Sequence, residues 1–322
     1  MKIISTETMK ALVSMPEAIQ AMRAIFGELA AGHSIMPLRC INTFGETMLF
    51  YKPSYSPKKN YAAVKLLTQV ESNPSRHLPM IQGYVFLMDS TNGNFLAMMD
   101  GKFITALRTG ATSGLATDLL ARPDSTIAAI FGAGVQGATQ LEAVCAVRPI
   151  KKAYIFDINP KAAETYARQQ SEKLGIHVYV AESLDVLREA DVICTATGAR
   201  APLFHPSQLK PNVHINAIGS FQPHMQELPA EWVAASKIYV DHVDSCLAET
   251  GDLLIPISKG LMTRQHILGE IGEVVNGTLD GRMSPNEKTL FKSVGVAVQD
   301  LAAAALVYEK ALAQECGTEV TL

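Results

Sequence analysis

Thr126-Ile-Ala-Ala-Ile-Phe-Gly132-Ala-Gly134-Val-Gln-Gly137 is an apolar run that feeds straight into G-x-G-x-x-G. The residues after it, Thr139 to Val147, read as a helix. A second apolar run, Ala153-Tyr-Ile-Phe, then ends in Asp157. Strand, glycine loop, helix and a carboxylate about 20 residues on are the pattern of a dinucleotide-binding βαβ unit. Gly132 makes the tight turn, Gly134 lets backbone approach a pyrophosphate, and Gly137 lets helix and strand touch. Val135 and Gln136 belong to this loop, and the N-terminus of the helix beyond it faces the phosphate charge with free N–H groups and a positive dipole end. A carboxylate at Asp157 accepts hydrogen bonds from both adenosine ribose hydroxyls and repels a 2′-phosphate. No Arg follows it, although Lys161 is close by. This favours NAD(H), with NADP(H) left possible. The bland alternative makes Asp157 a cap or turn residue before Pro160.

Working outward, apolar runs continue to alternate with helical patterns. Strands are expected at 126–131, 152–157, 177–180, 191–197, 213–218 and 237–241. Such alternation predicts an α/β fold, a Rossmann-type doubly wound parallel sheet. A domain-sized segment precedes it. That segment holds a helix from Met15-Pro-Glu-Ala and short extended runs at Thr47 to Tyr51, Ala62 to Val70, Gly83 to Met88 and Phe95 to Met99. Gly101 to Ala121 reads as a long amphipathic helix. An Ala-rich helix, Val294 to Leu312, is expected to return to the first domain and make it a discontinuous α+β domain. The expected boundaries are 1–117 with 297–322, and 118–296 for the dinucleotide-binding domain.

The 322 residues suffice for about two domains. A net charge of −3 with 18% charged residues gives no case for nucleic acid or an anionic membrane as partner. No apolar stretch reaches the roughly 18 residues of a membrane span, and the first ten residues lack the apolar core of a signal peptide. The five scattered cysteines fit a reduced, cytoplasmic protein. The eight histidines show no metal-ligand spacing, and no metal is expected. Asp241-His242-Val243-Asp244 reads as a solvated turn at a strand end.

Open α/β sheets bind ligands outside the carboxyl ends of their strands. A nicotinamide is therefore expected near Thr195-Ala196-Thr197 and near Gly219. The first domain must supply the rest of the site, and there three cations stand among apolar residues: Arg39, Lys65 and Arg108. A cation in such a setting is costly unless paired. Taken singly, each reads as a structural ion pair or a snorkelling side chain. Together they favour a carboxylate clamp, with Arg gripping bidentately and Lys65 able to orient a substrate or act as an acid.

These residues resemble the ornithine cyclodeaminase/mu-crystallin family. The likeness spans the chain through Met36-Pro-Leu-Arg39, Lys65, Ala106-Leu-Arg108-Thr-Gly-Ala-Thr-Ser113, the Gly132 loop, Glu249-Thr-Gly-Asp252-Leu, Gly269-Glu-Ile-Gly-Glu-Val274 and Phe291-Lys-Ser-Val-Gly295. The resemblance implies a homodimer whose discontinuous first domain forms the interface and binds the substrate carboxylate through Arg39, Lys65 and Arg108. It implies cofactor contacts from Thr109, Gly134, Gln136, Asp157, Thr195 and Thr197, with Ser293 and Val294 closing over the nicotinamide. Members act by hydride transfer at the carbon between a carboxylate and a nitrogen.

One departure is informative. Cyclodeaminases of the family carry an Asp two residues after the Gly that ends strand five. Here Phe221 stands there, and Met225 replaces an expected cofactor-contacting Lys. Phenylalanine transfers no proton but can pack on ring carbons. The expectation is therefore an NAD(P)H-dependent ketimine reductase with a small imino-acid substrate, in which Lys65 and Arg108 are catalytic. Ornithine cyclodeaminase, an alanine-type dehydrogenase and a non-catalytic binding protein are the alternatives.

Overall fold

Strong local signals set the first helices of the chain. After β1 (Lys2–Ile4) come α1 (Thr6–Leu12) and α2 (Met15–Ala30). Ser14 and Glu17 close a capping box at the start of α2, with Ser14 N–H and Oγ donating to Glu17 Oε2 at 3.0 and 2.7 Å. The strands β2 (Cys40–Phe44), β3 (Thr47–Ser56), β4 (Tyr61–Val70), β5 (Ile81–Asp89) and β6 (Phe95–Asp100) follow, and α3 (Gly101–Leu120) leaves them. Next in the chain are β7 (Ile127–Phe131), α4 (Val135–Val147), β8 (Lys152–Phe156), α5 (Pro160–Leu174), β9 (His177–Val180), β10 (Val192–Thr195) and β11 (His214–Ala217). They are followed by α6 (Ala230–Ala234), β12 (Lys237–Val240), α7 (Val243–Glu249), α8 (Gly251–Ser258), β13 (Ile267–Glu270), α9 (Ile271–Val275) and β14 (Thr289–Lys292). The chain closes with α10 (Ala297–Ala313) and β15 (Thr318–Glu319). This computed structural model describes residues 1–321. Leu322, the last residue of the segment expected at 297–322, lies outside the described residues.

Two compact units result: Met1–Arg108 with the described residues from Val296 onward, and Thr109–Gly295. The division falls inside α3, nine residues before the expected boundary, because the chain changes units without leaving the helix. The second junction, between Gly295 and Val296, is one residue earlier than expected. Gly295 has φ +79°, a left-handed conformation that suits glycine and turns the chain into α10.

The first unit is a seven-stranded sheet in the order β15-β1-β6-β5-β4-β3-β2. Strands β2 to β6 run antiparallel as a meander, β1 joins β6 in parallel, and β15 joins β1 antiparallel. α10 lies on β3, β4 and β5 and against α2. Alternate residues of β3, namely Phe50, Lys52, Ser54 and Ser56, point inward and are buried. Neither β1 nor β2 was expected: β1 has three residues, and every residue of β2 is exposed, so no in-out alternation marks it.

The second unit is an eight-stranded parallel sheet in the order β13-β12-β14-β11-β10-β7-β8-β9. The chain runs outward from β7 through β8 to β9, then returns to β10 on the other side of β7. The strand order therefore reverses between β7 and β10, which opens the crevice where α/β sheets take ligands. β13 and β14 were not expected, and each has four residues. α3 is not amphipathic: every residue from 106 to 117 is buried. Among the described residues no helix is long and apolar enough to cross a membrane.

Candidate functional site

In the second unit the glycine loop lies at the reversal point. A Cβ on Gly132 would stand 2.6 Å from Ala196 O, so the loops after β7 and β10 touch backbone to backbone. Gly132 also has φ +103°. A Cβ on Gly137 would stand 1.9 Å from Gly132 O, which fixes how close α4 comes to β7. Gly134 caps α4, its missing Cβ faces open space, and no side chain bonds the first turn. Those uncapped N–H groups are the donor set a pyrophosphate needs. Val135 is 70% exposed at the same helix end, and Gln136 Oε1 is buried without a hydrogen-bond partner. The loop thus fits a dinucleotide.

Asp157 follows β8, as read from the sequence. Its Oδ2 accepts the Ala133 N–H at 2.7 Å and its Oδ1 accepts the Asn159 N–H at 2.8 Å. It is not the cap of α5; Asn159 is, accepting from the N–H groups of Lys161 and Ala162. The carboxylate therefore braces the glycine loop from the β8 side.

Thr195, Ala196, Thr197 and Gly219 lie together at the ends of β10 and β11. A residue that sequence reasoning missed gathers them. Buried Glu227 accepts Thr195 Oγ1 at 2.8 Å, Thr197 N–H at 2.7 Å, Thr197 Oγ1 at 2.8 Å and Gly219 N–H at 2.8 Å. Burial pushes its carboxyl pKa up, Asp252 beside it adds to this, and Lys292 opposes it. Lys292 Nζ and Asp252 Oδ2 pair at 3.2 Å, both fully buried. Apolar neighbours gave no hint of Glu227; its only flag was an acid directly before Leu228-Pro229.

Asp241 corrects another expectation. It is fully buried, not a solvated turn. Its Oδ2 accepts Ser293 Oγ at 2.7 Å, Val294 N–H at 3.0 Å and Gly295 N–H at 2.8 Å. The segment read as closing over a nicotinamide is thus held from beneath by this carboxylate. Phe221 is half-buried in the loop after β11, and Thr109 and Val294 are buried.

In the first unit two of the three predicted cations, Lys65 and Arg108, meet at Asp300, the second missed residue. Lys65 Nζ, on β4, donates to Asp300 Oδ1 at 2.8 Å and to Thr105 Oγ1 at 3.1 Å. Arg108, on α3, donates Nε to the same Asp300 oxygen at 3.2 Å and Nη1 to Gln299 Oε1 at 2.7 Å. Asp300 comes from the first turn of α10. Its Oδ2 is buried without a hydrogen-bond partner. Burial lowers the Lys65 pKa to about 8, against the pull of Asp300, and Arg108 adds to the lowering. Arg39 is half-buried just ahead of β2, not in an apolar strand, with its guanidinium 5.8 Å above the Phe50 ring. A fourth cation, Lys52, was not expected: it is 7% exposed and directly opposite Lys65. A buried patch with this excess of positive charge is suited to hold an anion.

Comparison with known proteins follows the same lines. The model of the ornithine cyclodeaminase/mu-crystallin family matches residues 2–315. The chain belongs to this family. A Δ1-pyrroline-2-carboxylate reductase of Bacillus cereus is 37% identical over 99% of each chain. The structure of the Thermococcus litoralis Δ1-pyrroline-2-carboxylate reductase with NADH and L-proline is 42% identical. It covers 99% of this chain and all of its own, at a TM-score of 0.95. An archaeal alanine dehydrogenase, a dimer with bound NAD, is 34% identical over 99% of this chain and 98% of its own, with a TM-score of 0.93.

Proposed function

We propose that this family member is an NAD(P)H-dependent reductase of cyclic ketimine carboxylates, converting Δ1-pyrroline-2-carboxylate or its six-membered homologue to the cyclic L-amino acid. The observation that carries the reading is the buried cation cluster around Asp300. It has the chemistry to grip a carboxylate in the unit that does not carry the dinucleotide loop. The 37% and 42% identical reductases support the substrate class.

Arg39 and Arg108 hold the substrate carboxylate. Lys65, already oriented by Asp300 and Thr105, sets the angle of the ring and supplies the proton that ends on the imine nitrogen. The nicotinamide, when bound, supplies the hydride to C2. Electron count and charge then balance: one hydride to carbon, one proton to nitrogen, a C=N bond reduced to CH–NH. Phe221 packs on the ring carbons and Val294 shields the reacting face. The gain comes from preset charges that need no reorganisation during the reaction.

Thr109, Gly132, Gly134, Val135, Gln136, Gly137, Thr195, Ala196, Thr197, Gly219 and Ser293 form the cofactor site. Asp157 favours NADH over NADPH, since a 2′-phosphate would face its carboxylate. The dimeric alanine dehydrogenase supports a homodimer, with the first unit as substrate-binding and dimerisation domain. The test is loss of NADH absorbance with Δ1-pyrroline-2-carboxylate, repeated with NADPH and with the six-membered ring. Fast turnover is expected; none with either nucleotide, in protein that binds NADH, overturns the reading.

A further inference from the structure

Away from the Asp300 cluster, the first unit holds a cavity that the ketimine reading does not use. Ala21, Ala24 and Glu28 recur along one face of α2 at helical spacing. With Ala302 and Ala305 of α10 they border a space of about 60 Å³. A single water needs only about 10–15 Å³, so the cavity has room for a small molecule of several atoms. The two helices pack on each other, and alanine side chains are too short to fill the gap between them here. The walls are therefore mostly apolar. Ala24 and Lys59, both exposed, stand at the mouth.

The floor of the cavity carries a charge. Glu28 is 8% exposed and lines it. Ser34 Oγ and Ser56 Oγ both donate to Glu28 Oε2, at 3.3 and 2.7 Å. Among the described residues neither a hydrogen-bond donor nor a cation serves Oε1, the oxygen left to the cavity. A carboxylate so far from water is costly unless paired. Lys59 also lines the space, but its Nζ donates to Glu309, at 2.9 and 3.1 Å from the two carboxylate oxygens. Those two charges cancel. Glu28 remains as one negative charge without a counter-ion.

We propose that this cavity is a binding site for a small organic cation, a primary ammonium on a short saturated chain. The ammonium donates to Glu28 Oε1, and the chain lies against the alanines, Ile25 and Leu301. Glu28 repels an anion. A divalent metal ion such as calcium takes about six to eight oxygen ligands, and these walls offer too few. A neutral alcohol fills the same space but leaves the carboxylate unpaired. One charged group at the end of an apolar pocket thus selects an alkylammonium. The ligand bridges α2 and α10, so its binding stabilises the folded unit. The inference stands independently of the carboxylate clamp and of the ketimine reading.

The experiment is titration of the full-length protein with propylammonium chloride in phosphate buffer, followed by ligand-observed NMR and by thermal melting. Propan-1-ol, sodium propionate and potassium chloride are the comparisons. Propylammonium is expected to bind about 10-fold or more tightly than the alcohol or the propionate, since only it makes a charged hydrogen bond. It is also expected to raise Tm where the same concentration of potassium chloride does not. Glu28→Gln keeps the shape of the floor, removes the charge and is expected to abolish the preference. Ala24→Leu fills the mouth from an exposed position with Glu28 intact, and is expected to abolish binding. It is the second variant should Glu28→Gln fail to fold, judged by circular dichroism. Wild-type protein that binds no propylammonium, or binds the alcohol equally well, overturns the proposal. A preference that survives in either folded variant places the ammonium elsewhere and overturns it too.

Discussion

Glu227 holds Thr197 twice through one oxygen: the backbone N–H donates to Oε1 at 2.7 Å and the hydroxyl at 2.8 Å. The other oxygen takes Thr195 Oγ1 and the Gly219 N–H. The loops after β10 and β11 therefore share a single buried anchor. Glu227→Ala strands these donors in a dry interior, at about 1–3 kcal/mol for each unsatisfied group. Chemical denaturation is expected to show a loss of about 3 kcal/mol or more, and fluorescence titration an NADH affinity reduced at least 10-fold. Glu227→Gln keeps the shape and should lose less stability but still weaken NADH. Unchanged affinity in both variants removes Glu227 from the positioning of the loops.

The activity should fall in base. Lys65 has its pKa lowered to about 8, first by burial. It is charged below that pH and neutral above it, and the proposed clamp and proposed proton transfer both use the charged form. kcat/KM should drop roughly 10-fold per pH unit above about pH 8. Asp300 raises the Lys65 pKa, so Asp300→Asn should move the falling limb to lower pH. Lys65→Arg should flatten it at a reduced rate, because guanidinium stays charged. A wild-type profile level to pH 10 contradicts this role of Lys65.

Arg108→Ala and Lys65→Ala should each abolish ketimine reduction while leaving a folded protein that binds NADH. Steady-state rates and thermal melting check this together. Near-normal turnover in both would sink the clamp.

Asp157→Ser should shift the ratio of NADH to NADPH turnover toward NADPH by about 10-fold or more, since it removes the charge that a 2′-phosphate would meet in the proposed cofactor site. The same change frees the Ala133 N–H, so absolute affinity for NADH should fall as well. A ratio left in place assigns cofactor choice to another residue.

Gly137→Ala tests the closeness of α4 to β7. Its new methyl would lie 1.9 Å from Gly132 O, a backbone atom that cannot swing aside. Overpacking of this kind costs about 1–3 kcal/mol or more. A drop in Tm of several degrees is expected, with weaker NADH binding, whereas Gly134→Ala, open at Cβ, should melt near the wild type.

The sequence made the second unit legible because its longer strands are buried on both faces and read as apolar runs. β13 and β14 escaped because four residues are too few to show a period, and their Gly269-Glu270 and Lys292 ends look polar. β3 was expected to stop at Tyr51, just before Lys52-Pro53. The strand continues to Ser56: the β2 ladder stops at Cys40, opposite Tyr51, so Pro53 falls outside it, and Pro53 pairs with Val64 in the β4 register. That misjudged strand end hid Lys52. Asp241, Glu227 and Asp300 were hidden for a different reason. Each serves donors distant in sequence, and a lone acid in a chain carries no mark of what it will accept.

The separation of Lys65 and Arg108 from Asp300 also sets an order of events during synthesis. They stand 235 and 192 residues ahead of their counter-ion. At ribosomal rates of about 5–20 residues per second, the cations wait roughly 10–50 s for it. β1 waits longer still, for β15 pairs Lys2 with Glu319. The unbroken stretch from Thr109 to Gly295 emerges in one piece and can fold during this interval, while the strands before it remain unfinished and positively charged. A nascent chain of this design thus presents an open, cationic sheet to its surroundings until Asp300 and β15 have been made.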